Sequence, residues 1–359
     1  MKNLLLLFLL AFLAVPIASA EESVVTLTTT LDEGASIKLY TWADSMDDAF
    51  TIDWGDGVEK IYNKVKPSWT YGSEITGKLG ASKTITIKGD ITYLEIKEMQ
   101  ISAATFANTK LKEVDMEKNQ LTDFNLSGLP EVTKLSLNEN SIVTFSSTGN
   151  SVLKNLGLKS NKIDSHQFEI SSLANSLEQL NVSENGENFV ALNLINFDKL
   201  QYFTANDNPE LTTVVFYDGS TNLKQISMNN CHIMHFYAIS LPNLNSLNLS
   251  NNALLDFENG TYPNLSTLSV NGNYLSEIDV TKFPKLFSFD CSSNQLTDIN
   301  VANNPELNYF NCGNNKLTSV DVSTNKELGS LLVNGNQLSR IDISNNESLG
   351  TINISDTQI

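Results

Sequence analysis

The chain is 359 residues long and carries 23 Lys and Arg against 41 Asp and Glu, a formal net charge of −18. Arg340 is the only arginine, so the basic footprint that phosphate backbones require is missing; nucleic acid is excluded as a partner and anionic membrane surfaces are disfavoured. Three cysteines are too few for the disulfide framework of a small secreted domain, so the core must come from packing.

Lys2, the apolar run from Leu4 to Leu13 and Ala18-Ser19-Ala20 together read as a secretory signal peptide, residues 1 to 20, cleaved after Ala20. A secreted or cell-surface location is therefore expected. No cysteine directly follows that point to take a lipid anchor, and no later apolar run is long enough to span a bilayer. Residues 21 to 88 alternate in short runs, VVTLTTTL, SIKLYTWA, FTIDWGDG and KTITIKG, separated by Asp, Gly and Ser turns. This predicts a small antiparallel β-sandwich that caps the remainder of the chain. Asp53-Trp54-Gly55-Asp56-Gly57, with Trp69-Thr70-Tyr71 after it, resembles the corresponding segments of PKD-type immunoglobulin-like domains. Asp44, Asp47, Asp48, Asp53, Asp56 and Glu59 are plentiful enough to suggest calcium, but not at the spacing of an EF-hand loop, and no metal is expected. Gly72 to Lys78 spells most of a phosphate-binding loop. Leu79 stands where a hydroxyl is required and no helical pattern follows, so no nucleotide is expected either.

From Ile91 onward one phrase, L-x-x-L-x-L-x-x-N-x-L, begins at positions 91, 111, 132, 153, 177, 200, 223, 244, 265, 286, 307, 328 and 349. Residues 89 to 359 therefore form a solenoid of thirteen rungs. In L-x-L the two leucines point to the same side of a short strand, leaving an apolar edge that only the next rung can bury. The asparagine of the phrase stands where the chain turns off the sheet, and its amide can satisfy backbone groups of the turn and of neighbouring rungs. Asn119, Asn140, Asn161, Asn185, Asn208, Asn252, Asn273, Asn294, Asn315 and Asn336 fill that slot, and Cys231 fills it once.

With Asn or Cys in that slot the chain resembles the leucine-rich-repeat family, and its later rungs are most similar to secreted bacterial members related to the internalins. The resemblance implies a mainly β solenoid with a parallel sheet on the concave face, which is the face such proteins typically use for binding. It does not specify the ligand. A further apolar pair in each late rung, Ile278 with Val280, Ile299 with Val301, Val320 with Val322 and Ile341 with Ile343, predicts an extended edge on the convex side. The last phrase ends at Ile359 without a polar cap. A partner or a further segment is expected to cover it.

Cys291 and Cys312 occupy the same inward slot of adjacent rungs and should be neighbours, either as buried thiols or as a cross-rung disulfide. Cys231, His232 and His235 lack a fourth ligand and are not expected to bind zinc. H-E-x-x-H, G-x-S-x-G and C-x-x-C are all missing, so the chain is not expected to be an enzyme or to need a cofactor.

The repeat register also predicts the outward positions. Early rungs are charged at Glu95, Lys97, Glu113, Asp115, Glu117 and Lys134. Later ones present Tyr202, Asn206, Ser227, Asn229, Asn248, Ser250, Asn271, Asp290, Tyr309 and Asn311, aromatic anchors among adaptable hydrogen-bonding groups. These are the expected ligand-binding residues. On the convex edge, Ile195, Val215, Tyr217, Tyr237 and Ile239 form an apolar stripe where later rungs carry Asp279, Asn300, Asp321 and Asp342. The stripe is a candidate partner patch. The expected function is protein binding or adhesion at a cell surface, with carbohydrate capture and a structural spacer as alternatives. In a secretion-competent host the mature chain is expected to begin at Glu21, read by mass spectrometry of its first tryptic peptide. Retention of Met1 would remove the export reading.

Overall fold

The computed structural model describes residues 22–44, 49–63, 74–216, 222–236, 238, 240–257 and 260–359. The predicted leader, Asp47, Asp48, Trp69-Thr70-Tyr71, Gly72, Tyr217, Tyr237 and Ile239 lie outside the described residues.

The N-terminal strands are β1 (Val24–Thr29), β2 (Ser36–Trp42), β3 (Phe50–Asp53), β4 (Glu59–Tyr62), β5 (Glu74–Lys78) and β6 (Thr84–Lys88). They are followed by β7 (Tyr93–Glu95) and β8 (Ile101–Ala107) of the first repeat. Several alternate as half-buried strands should: Val25 and Leu27, Ile37 and Leu39, Phe50 and Ile52, and Ile85 and Ile87 point inward and are buried. One antiparallel sheet has the order β4-β3-β6-β1-β8, so a strand of the first repeat completes it. In exchange β2, with β5 at its other edge, pairs antiparallel with β7 and extends the long solenoid sheet. Hydrogen-bonded ladders thus cross the position-88 boundary in both directions, and one apolar core runs through both parts.

The acidic residues of the β3–β4 hairpin organise their own turn. Asp53 Oδ1 accepts from Gly55 N–H (2.8 Å) and Gly57 N–H (3.0 Å), and Asp56 Oδ1 accepts from Val58 N–H (3.0 Å). Trp54 beside them is fully buried. A Cβ on Gly77 would lie 2.1 Å from its indole. Gly77 is therefore a notch for the indole, and the stretch that resembles a phosphate loop is, over Glu74–Lys78, a strand.

The long sheet has fifteen strands, of which thirteen belong to the repeats, running from β7 to Thr351–Asn353. Successive rungs pair in parallel with no slip, so Leu247, Leu268, Phe289, Phe310 and Leu331 form one inward column. Behind it Phe216, Phe236, Phe257 and Phe283 stack at centroid spacings of 6.1, 6.2 and 6.4 Å. On the convex side Asp123–Asn125, Thr144–Ser146 and Phe168–Glu169 make a three-stranded parallel sheet, and Ala191–Asn193 and Thr213–Val215 a separate pair. The described residues of later rungs form no named strand there and carry only the bridge between Ser240 and Thr261.

The slot asparagines are buried and fully used. Asn294 Nδ2 donates to Val270 C=O of the preceding rung (2.9 Å) and to Cys291 and Ser292 C=O of its own turn (3.1 and 3.2 Å), while its Oδ1 accepts from Leu275 N–H (2.9 Å). Asn140, Asn161, Asn252, Asn273, Asn315 and Asn336 repeat this set. Cys231 substitutes a weaker thiol donor, to Ala205 C=O (3.1 Å) and Asn229 C=O (3.5 Å). The residue just before the slot is left-handed in every rung from Lys118 to Gly335, with φ between 53 and 67°, and only Gly272 and Gly335 among these are glycines. A second ladder, not anticipated from the sequence, runs through Asn304, Asn325 and Asn346, each donating twice to the rung before it. Cys291 and Cys312 are fully buried free thiols. Burial pushes the Cys312 thiol up to about 12 and Cys231 up to about 11.

Replacing Asn294 by Ala strands buried carbonyls and one N–H, and is expected to cost about 3 kcal/mol. Asn271→Ala on the solvent side should cost under about 0.5 kcal/mol. Urea unfolding measures both, and equal losses would show that the ladder is not what holds the rungs.

Candidate functional site

Each rung offers three outward positions on the long sheet, the first and third residues of its strand and the second residue after it. Over the early rungs these carry an ionic lattice. Lys97 Nζ lies 2.6 Å from Asp115 and 3.5 Å from Glu117; bordering these positions, Lys154 just before its strand is 3.0 Å from Glu178, and Lys159 is 3.0 Å from Glu184, one residue past the outward row. A cavity of about 310 Å³ lies here, lined by Tyr93, Glu95, Lys97, Glu113, Asp115, Lys134 and Ser136. Tyr93 forms one wall, its ring stacked on Trp42 at 3.8 Å.

Burial raises the Asp115 carboxyl above its ordinary range, and the neighbouring Glu117 adds to this; together they outweigh the bonded Lys97 ammonium. Burial also acts to lower Lys97, but its bond to Asp115 and the fields of Asp115, Glu95 and Glu117 leave it raised. Glu117, despite burial, is held low by hydrogen bonds from Ser136 and Asn138 and by Lys97. Asp115 is thus the strained member of the group.

Beyond Lys159 the face changes. From Gln179 to Ser355 Asp290 is the only carboxylate or ammonium at these three positions; the others are amides, hydroxyls, glycine, Tyr202, Tyr309 and Leu332. The structure places all ten predicted ligand residues on this one face, over six consecutive rungs. Many already bond to one another. Asn206 Oδ1 accepts from Ser227 Oγ–H (2.8 Å) and Asn229 N–H (3.1 Å), Asn248 Oδ1 accepts from Ser250 Oγ–H (2.6 Å), and Asp290 Oδ2 accepts from Asn311 Nδ2–H (3.1 Å). Ser227 and Ser250 are only 8% exposed and form floor, whereas Tyr202 is 40% exposed. Burial, with Asp290 nearby, raises the Tyr309 hydroxyl, which therefore stays protonated as a donor.

Sequence reasoning missed the flank of this face. Lys224 Nζ sits 5.9 Å from the Tyr202 ring centroid. With Tyr202, Gln225, Asn245, Asn264 and Lys285 it lines a depression of about 630 Å³. Phe287, at the same repeat position as Lys224, is 49% exposed. The available signal was the residue directly after the first leucine of each phrase. On the convex side Ile195 and Val215 are exposed and line a separate cleft. His235 Nδ1 contacts Asp256 at 3.0 Å, and the Cys231 thiol bonds backbone. No helix among the described residues is long and apolar enough to cross a membrane.

No protein-family model matches the sequence, and no curated protein matches it. Solved structures do. The functional domain of InlJ from Listeria monocytogenes, which includes a cysteine ladder, aligns with a TM-score of 0.59 at 21% identity, over 78% of this chain and 66% of that one. YopM from Yersinia enterocolitica aligns at 0.56 and 18% identity, over 74% and 65% of the two chains. A leucine-rich-repeat protein of Leptospira interrogans aligns at 0.52 and 19%, over 70% and 74%. This chain thus spans about two thirds of the first two. The likeness establishes the fold as a leucine-rich-repeat solenoid, here laddered by asparagine with Cys231 as its one sulfur.

Because the folded state raises Asp115, the group favours folding below its unfolded value and loses that contribution as pH rises through the raised folded value. Asp115→Asn removes this dependence. The stability of the variant minus that of the natural chain is expected to grow between about pH 3 and about pH 7, read as urea midpoints. A gap that shrinks with pH would mean that Lys97 outweighs burial.

Proposed function

We propose that this leucine-rich-repeat solenoid is an exported, cell-surface binding protein that recognises a protein ligand along its concave face, without catalysis of its own. Residues 21–88, read as a PKD-like domain, serve as its N-terminal cap, and residues 89–359 as the ligand-bearing solenoid. One observation carries the reading: six adjacent rungs from Tyr202 to Asn311 present an almost uncharged field of amides and hydroxyls with an exposed Tyr202 and a half-buried Tyr309 as aromatic anchors. Such groups supply contact area and hydrogen bonds at low entropic cost. Binding then rests on complementarity over several rungs, with Tyr202 and Tyr309 as anchors.

Carbohydrate capture is the second reading. It is favoured by the exposed Phe287 ring at the flank of rungs whose outward groups include Thr267, Ser269, Ser288 and Asn311. A spacer without a saturable ligand is the remaining alternative.

Binding to parallel arrays of surface proteins and glycans separates these readings. The expected outcome is a saturable protein hit weakened about tenfold or more by Tyr202→Ala or Tyr309→Ala, with unchanged urea midpoints. A hit confined to glycans, lost with Phe287→Ala, would move the assignment to carbohydrate. Silence on both arrays would leave the spacer.

A further inference from the structure

A cleft of about 600 Å³ opens on the convex side, away from the concave face and independent of it. Phe168, Ile170, Leu192 and Phe197 line its depth, the last three under 7% exposed. Val190, Ile195 and Val215 line it too and are 36, 37 and 39% exposed. In the column of Val215, later rungs carry Asp279, Asn300, Asp321 and Asp342. In that column the apolar side chain at the cleft thus stands where later rungs are polar.

The cleft has a backbone cause. On the convex side the bond from Leu126 N–H to Ser146 C=O (3.0 Å) recurs from Ser147 to Glu169 (2.9 Å) and from Leu194 to Val215 (2.9 Å). Its counterpart, from Ile170 to Asn193, is not formed, and the two convex sheets end on either side of it. The rung before the gap carries two short 3-10 turns, Ser165–Gln167 and Ser171–Leu173, which lengthen it. At one end Ser165 spans the opening: its hydroxyl accepts from Val190 N–H (2.9 Å) and Ala191 N–H (3.1 Å), and its N–H donates to Asn188 C=O (3.1 Å). Two facing strand edges with an apolar floor are the requirements for taking up a strand.

We propose that this cleft is a docking groove for an extended segment of a partner protein, with apolar side chains at alternate positions and a lysine or arginine set against Glu169. An inserted strand would bond main chain to Ile170 and Asn193 and turn every second side chain onto the floor. The charge of the occupant follows from the lining, in which Glu169 is the one carboxylate, His166 the only other titratable side chain, and no Lys or Arg is present. Glu169 Oε1 accepts from Ser171 N–H (2.6 Å), and its carboxylate has no ion-pair partner among the described residues. The Ser171 bonds hold that carboxyl below its usual range, so it is ionised at neutral pH. A chain of net charge −18 also attracts basic segments from a distance.

The test is selection of a displayed library of random linear peptides, each about twelve residues long, on the full protein. Enriched peptides are expected to alternate apolar residues, to carry Lys or Arg, and to lose about tenfold or more in affinity against Ile195→Asp and, separately, Val215→Asp. Both sites are exposed, and circular dichroism melts check that each variant folds. Asn271→Ala on the concave face should leave affinity unchanged, and Glu169→Gln should remove the preference for basic residues. On the natural protein the peptide should slow amide exchange at Ile170 and over residues 191–195. Failure to enrich, equal binding to both groove variants, or protection elsewhere would each overturn the proposal.

Discussion

One amide side chain in each of ten of the thirteen rungs, buried and bonded to two rungs at once, is the interaction on which the rest of this molecule depends. Around each such turn three carbonyls, two of its own and one of the rung before, point into the interior, where no water can reach them. Asparagine satisfies all three with one NH₂ group and returns its own oxygen to the rung before. The same turn requires a left-handed residue immediately ahead of the slot, at a cost of about 1 kcal/mol where that residue is not glycine. Ser293, Lys118 and Glu139 accept that conformation because the ladder over-determines it.

With the turn held in this way, the outward side chains are free of structural duty, and their chemistry divides the solenoid in two. In the first rungs carboxylates and lysines bond one another so thoroughly that Asp115 is partly desolvated in the process. Beyond Lys159 amides and hydroxyls bond along the rows, as Ser227 does to Asn206 and Asn311 to Asp290. Such a surface is pre-ordered, so a ligand taken up there as proposed would pay little to fix it. It also offers few orphaned groups, so in that proposal the tyrosines and the Lys224 flank would be the energetically important contacts.

The period, the inward leucines and the asparagine slot were readable in the sequence because each depends on residues a few positions apart. The strands that cross between cap and solenoid were not. The pairing of β2 with β7 and of β8 with β1 joins residues far apart in sequence, and nothing local in Ile101–Ala107 distinguishes it from other first-repeat residues. The second ladder at Asn304, Asn325 and Asn346 was hidden by the abundance of asparagine in the same turns. The ten concave residues follow directly from the repeat register, but which of them remain open to a ligand depends on neighbour-to-neighbour bonds such as that between Ser250 and Asn248. Of the convex stripe, Ile195 and Val215 were legible as composition; the missing ladder bond beside them was not, since it arises from how two unequal rungs stack.

The substitution of sulfur for an amide at Cys231 has a mechanical side. A stack of rungs pulled from its two ends loads every junction in series and parts where the fewest bonds cross. Two such junctions lie close together here: the convex gap before Ala191–Asn193, and the rung where a thiol donates weakly to Ala205 in place of an asparagine's several bonds. Under tension the molecule would yield near its middle, and the two shorter stacks so formed would each remain zipped by asparagine. If the molecule is held at a surface and gripped by a ligand as proposed, this would act as a built-in fuse, extending under load before either end is torn open.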